Sequence, residues 1–149
     1  MRIVEISRDE CSEFLARVSV GRLACALDNQ PYIIPISFAF ELDRLYLFST
    51  LGKKVEWMRQ NPKVCLQADE IVDRSTWVSV VVDGTYIELR EPDHIAEKEH
   101  ARKLLAHSEQ WWLAPMVGRR EQAGDLAVEP VLFRLNIDSI SGLRATPES

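Results

Sequence analysis

The chain has 149 residues, 46% apolar and 28% charged, with a net charge of −5. That size suits a single domain over residues 1–149 with its own core, and the acidic balance argues against an extended nucleic-acid surface. No apolar run approaches the ~20 residues of a membrane span, and the N-terminal MRIVEISRDE lacks a signal-peptide core. Cys11, Cys25 and Cys65 are widely spaced with no CxxC pair. This points to reduced thiols in a cytoplasmic protein rather than a disulfide frame, a zinc site or a thioredoxin-type motif.

Ser7 and Glu10 form a capping-box pattern, and Phe14, Leu15 and Val18 supply an apolar stripe for a first helix. Val20 to Leu27 reads as a strand, closed by a turn at Asp28-Asn29-Gln30-Pro31. The next strand, PYIIPISFAF, alternates. Tyr32, Ile34, Ile36, Phe38 and Phe40 share a core face, while Ile33, Pro35, Ser37 and Ala39 share the other. The second face ends in small residues, too small to fill a barrel interior, so a planar group is expected there. A turn at ELDR leads into LYLFST, which ends on Ser49 and Thr50.

Gly52, Lys53 and Lys54 then open a short helix on which Val55 and Met58 share a face. Hydroxyls, a glycine, two cations and a helix N-terminus this close together make an anion seat. Asn61-Pro62 stops the helix. Lys63 to Ala68 reads as a strand, Asp69 to Ser75 as a polar loop, and Trp77 to Arg90 as a long strand bent near Asp83-Gly84. Val78, Val80 and Val82 fill one face of that strand; Trp77, Ser79 and Val81 fill the other. Pro92 and Asp93 open a helix to about His107. Trp111 and Trp112 fall in the least legible stretch, and Val131 to Ile137 forms a last strand before a polar tail. About six sequential strands with two or three helices suit an antiparallel barrel with helices outside it.

Four pieces, GRLACAL with QPYIIPISFAF, LYLFST-LGKKVEWMRQNPKVCL, WVSVVVDGTYIEL and VLFRLNIDSISG, carry a resemblance in their order and spacing. The chain resembles the pyridoxamine 5′-phosphate oxidase-like split barrels that bind FMN, and within them the nitroimidazole-resistance branch. The resemblance implies a mainly β fold, a six-stranded antiparallel split barrel with flanking helices. It implies FMN as cofactor, with Pro35, Ile36 and Ser37 along the ring and Phe48, Ser49, Thr50, Lys53 and Lys54 around the phosphate end. Trp77 and Ser79 would reach the same cofactor from the second subunit of a homodimer. The implied activity is that of a flavin-dependent oxidoreductase on a small organic substrate, with NAD(P)H as a candidate electron donor.

The departures narrow this expectation. The oxidases proper carry a glutamine where Ser79 stands, and a C-terminal Arg/His-containing segment that grips their substrate; here no histidine follows His107. The histidine of some nitroimidazole-branch members is missing from IPISFAF. A deazaflavin cofactor, or a non-catalytic FMN- or heme-binding role, is the alternative. His94, His100 and His107 read as surface-helix residues rather than metal ligands, since two helical turns (~10.5 Å) separate the latter pair. Arg22 could meet an anion or decorate an edge strand.

Overall fold

The structure, a computed structural model, describes residues 1–106 and 130–148. Its elements run β1 (Arg2–Glu5), α1 (Arg8–Arg17), β2 (Val20–Leu27), β3 (Gln30–Glu41), β4 (Arg44–Ser49), α2 (Lys53–Gln60), β5 (Lys63–Asp73), β6 (Thr76–Glu88), α3 (Ile95–Leu105) and β7 (Val131–Thr146). The strands lie in the order β1-β7-β4-β3-β2-β5-β6, and β6 pairs back onto β7. That last pairing closes β2 to β7 into a six-stranded antiparallel barrel, the expected fold, with β1 added along the end of β7.

Local chemistry explains the hairpins. Asp28 and Asn29 take φ of 50° and 65°, and Leu42 and Asp43 take 50° and 60°. Two consecutive left-handed residues match the twist of paired strands. Ser7 caps α1 as its sequence promised: its Oγ accepts from the Glu10 N–H at 3.2 Å, and the Ser7 N–H donates to Glu10 Oε1 at 3.4 Å.

The barrel interior is filled by the alternating set that includes Leu23, Cys25, Ile36, Phe38, Leu45, Leu47, Leu66, Val80, Val82, Phe133 and Leu135. Cys11, Phe14 and Leu15 of α1 join this core, and so do Val55 and Met58 of α2. α1 approaches β7 closely at Gly142, where a Cβ would fall 2.8 Å from Cys11 Sγ. A second, smaller core lies outside the barrel, where α3 places Ala101 and Leu105 against Tyr46, Leu89 and Leu132.

Four expectations from the sequence need correction. β1 went unread because a four-residue strand with every residue exposed shows no apolar face. Asp69 to Asp73 continues β5, and only Arg74 and Ser75 turn; that hairpin end stands clear of the core, so its polar residues do not break the ladder. The last strand runs to Thr146 instead of Ile137, because β6 and β1 pair with the polar stretch. The face carrying Pro35, Ser37 and Ala39 is the outside of the barrel, so no planar group is needed to fill the interior. The expected bend in the long strand is present as a register shift between Asp83 and Gly84.

Candidate functional site

The anion seat expected from the sequence falls at the end of β4 and the start of α2. Ser49 faces inward, is 1% exposed, and donates its hydroxyl to the Thr50 carbonyl at 2.9 Å. Thr50 follows, half-buried, just past the end of the strand. Gly52 is the N-cap of α2 and offers no side-chain acceptor to the first amides of the helix, which leaves N–H groups for an anion.

Lys54 is half-buried and Lys53 exposed. Both charges act on Cys25, whose thiol is pushed up by burial and partly restored by the two lysines. The Lys53 ammonium lies 5.1 Å from the Tyr32 ring centre and 4.6 Å from that of Trp57. The two rings are themselves 6.0 Å apart. Tyr32 was read only as a core-face residue and Trp57 was not singled out; the spacing of Lys53 and Trp57, four apart on a helix, was the available signal.

β3 carries the residues expected along the ring. Ile33 (65% exposed) and Pro35 form an open apolar strip, with Ser37 buried further along. Ile36 is 3% exposed and points into the core, so only its backbone is left for a ligand. Phe48, on the outer face of β4, packs with Ala39 against the small core under α3. Pro35 lies three residues from Tyr32, about 10 Å along a strand. The fold places Pro35 and Ser37 on the outer face of β3, Thr50 just past the end of β4, and Lys53 and Lys54 in the first turn of α2, with Lys53 against Tyr32 of the inner face of β3.

Trp77 and Ser79 stand elsewhere. β2 and β5 separate β6 from β3, a gap of about 14 Å at the usual strand spacing. Trp77 lines a groove with Phe14, Arg17, Glu70 and Arg144, flanked by the Arg17–Glu70 and Arg144–Glu10 pairs, both at 2.7 Å. Ser79 lines a groove of about 400 Å³ with Glu5, Val81, Ser141 and Leu143. Between the two halves, Arg22 bonds Asp69 at 3.3 Å, and the Gln67 amide nitrogen reaches Asp69 at 2.8 Å and Ser79 Oγ at 3.1 Å. Arg22 is on an interior strand, not an edge.

Two charged clusters brace the scaffold. Glu88 accepts from Arg59, Arg90 and Tyr86; burial alone would raise its pKa, but those bonds outweigh it and hold the carboxyl at about 2. Glu97, in the first turn of α3, accepts from Tyr46, Arg44 and Arg134. Burial opposes its ionisation, and these donors still lower its pKa. His94 Nδ1 accepts from the Arg90 N–H and His100 Nε2 meets Glu41 at 2.6 Å. His107, Trp111 and Trp112 lie outside the described residues.

Comparison with known proteins places the chain in a family. The family profile for pyridoxamine 5′-phosphate oxidase matches residues 7–144. An uncharacterized protein of Rhizobium meliloti (strain 1021) is 40% identical over 141 residues, 94% of this chain and 93% of its own length. The crystal structure of an FAD-binding protein from Mesorhizobium loti is also 40% identical, covers 99% of both chains and superposes with a TM-score of 0.81. A 5-nitroimidazole antibiotic resistance-type protein of Bacteroides thetaiotaomicron shares the fold at 18% identity, covering 97% of this chain and 89% of its own, with a TM-score of 0.68. The chain belongs to the pyridoxamine 5′-phosphate oxidase family.

Proposed function

We propose that this protein binds a flavin through its FMN moiety and is a flavin-dependent oxidoreductase acting on a small organic substrate. One observation carries the reading: Thr50, Lys53 and Lys54 flank the N-terminus of α2, while Ile33 and Pro35 leave an exposed apolar strip on β3. Cations and helix amides suit a phosphate; the flat apolar strip suits a planar ring. FAD, which the Mesorhizobium relative binds, contains the same ring, ribityl chain and first phosphate, so one seat serves either form.

Lys53 has to leave its rings to meet that phosphate. An exposed cation over an aromatic ring is worth about 0.5–1 kcal/mol, and a charge-assisted hydrogen bond about 1.5–3 kcal/mol. The exchange is favourable, and Tyr32 and Trp57 hold the ammonium beside the seat until then. The bound flavin supplies the redox chemistry; Pro35 and the backbone of Ile36 orient the ring. Trp77 and Ser79 complete the site from a second copy, since within one chain they lie across the barrel surface. Free cysteines at 11, 25 and 65 accord with a cytoplasmic setting.

The test is direct. Protein purified from cells should carry flavin absorbance, and mass spectrometry of the released cofactor separates FMN, FAD and a deazaflavin. Steady oxidation of NAD(P)H with a small acceptor then identifies an enzyme. Protein that neither retains nor takes up any flavin sinks the reading.

A further inference from the structure

A second basic cluster lies at the other end of α2. Arg59 stands in the last turn of that helix, Arg90 just past β6, and Lys98 on α3; all three line one groove of about 470 Å³. Lys53 and Arg59 are about 9 Å apart along the helix axis, and neither Lys53 nor Lys54 lines the groove. Glu88 sits between the two arginines with its acceptor sites filled. Its Oε1 accepts from Tyr86 at 2.6 Å and from Arg59 Nε at 2.8 Å, and its Oε2 from Arg90 Nε at 2.7 Å and from Arg59 Nη2 at 3.2 Å. A carboxylate has room for no more. Both guanidiniums are thereby fixed, and Nη1 and Nη2 of Arg90 have no partner among the described residues.

Lys98 is half-buried, and its ammonium has no partner among the described residues either. The backbone under Arg90 is pinned: its N–H donates to His94 Nδ1 at 3.2 Å, and its carbonyl accepts from the His94 N–H at 2.8 Å. The three cations face two carboxylates, Glu88 and Glu91, which leaves the groove one positive charge in excess. Leu89, Val131 and Leu132 supply an apolar wall. We infer that this groove binds a small organic carboxylate. The open edge of the Arg90 guanidinium takes its two oxygens, Lys98 adds a point charge, and the apolar wall receives the hydrocarbon body. One excess charge matches one carboxylate, and a planar fork matches its two oxygens; a phosphate dianion matches neither. The site is separate from the seat at the start of α2 and does not depend on the flavin reading.

Isothermal titration of acetate, butanoate and butanamide into the full-length protein tests this, at constant ionic strength with chloride as the background anion. Butanoate should bind more tightly than acetate, because it reaches the apolar wall, and the neutral butanamide should not bind. Inorganic phosphate, added as a competitor, should displace butanoate less well than acetate does. Arg90→Ala and Lys98→Gln should each weaken butanoate binding about three- to tenfold. Arg90→Lys should not restore it, since a lysine keeps the charge and loses the fork. The Lys53→Ala/Lys54→Ala double variant should bind butanoate as the wild type does.

Thermal unfolding of each variant reports any loss of fold, and Lys98→Gln, which breaks no side-chain bond among the described residues, keeps the comparison open if Arg90→Ala does not fold. A wild type that binds no butanoate, or binds butanamide equally well, overturns the inference. So does unchanged affinity in Lys98→Gln and in whichever Arg90 variant folds. Phosphate that displaces butanoate better than acetate does, or full affinity in Arg90→Lys, overturns the carboxylate fork. A loss confined to the Lys53→Ala/Lys54→Ala variant moves the anion to the start of α2 and overturns this site while leaving the flavin seat standing.

Discussion

Single side chains decide the two chemical questions this site raises. Lys53 and Lys54 are adjacent at the start of α2, and together they would supply the positive charge of the proposed seat. Replacing both with alanine should weaken flavin binding at least tenfold, since each charge-assisted bond contributes ~1.5–3 kcal/mol; fluorescence titration of the double variant measures it, and unchanged affinity would contradict the seat. Glu88 raises a different question. Its folded pKa of about 2 lies below the ordinary carboxyl value of 4.5. A depressed carboxyl stabilises the fold at pH above its unfolded value and loses that contribution as pH falls from about 4.5 toward 2. The shift formally converts to ~3 kcal/mol, but Arg59 and Arg90 are well exposed, so about 2 kcal/mol is expected. Urea unfolding across that pH range should be steeper in the wild type than in Glu88→Gln. Some of this was legible beforehand: the hydroxyl-glycine-lysine run is contiguous, so it survives reading as text. The partners of Ser79 are not. Gln67 and Asp69 come from another strand, and only the register places them beside it.

At the level of elements, turns and close contacts govern stability. Leu42 holds a φ of 50° in the β3–β4 hairpin and is 86% exposed. A branched apolar residue gains nothing there and strains the backbone. Leu42→Asn should raise stability by about 0.5–1 kcal/mol in denaturant unfolding, with no change in flavin affinity. Gly142 is the opposite case. A Cβ there would lie 2.8 Å from Cys11 Sγ and from Ile6 Cδ1, so Gly142→Val should cost ~1–3 kcal/mol by pushing α1 off β7. Differential scanning calorimetry of the two variants should move in opposite directions. The alternating strands and capped helices were readable because each carries its period or its cap within a few residues. The outer β5 hairpin and the second half of β7 were not, because polar residues there are held by ladder bonds to partners remote in sequence.

For the molecule as a whole, the division of the site predicts its assembly. In the proposed shared site β3 and α2 carry one half and β6 the other, and β2 and β5 separate β3 from β6 within a chain. Sedimentation at micromolar concentration should therefore show a twofold dimer, and a flavin-loaded monomer would contradict the shared site. The closure of the barrel also has a consequence in time. β7 joins β4 to β6, with Arg44 opposite Asn136 and Val82 opposite Ile140. Until β7 is in place, β4 and β6 are open strand edges able to pair with another chain. Pairings that span so much of the chain are late and slow. A ribosome carrying the chain as far as α3 displays both edges at once, and it is at that stage of synthesis, rather than in the finished barrel, that aggregation should compete with folding.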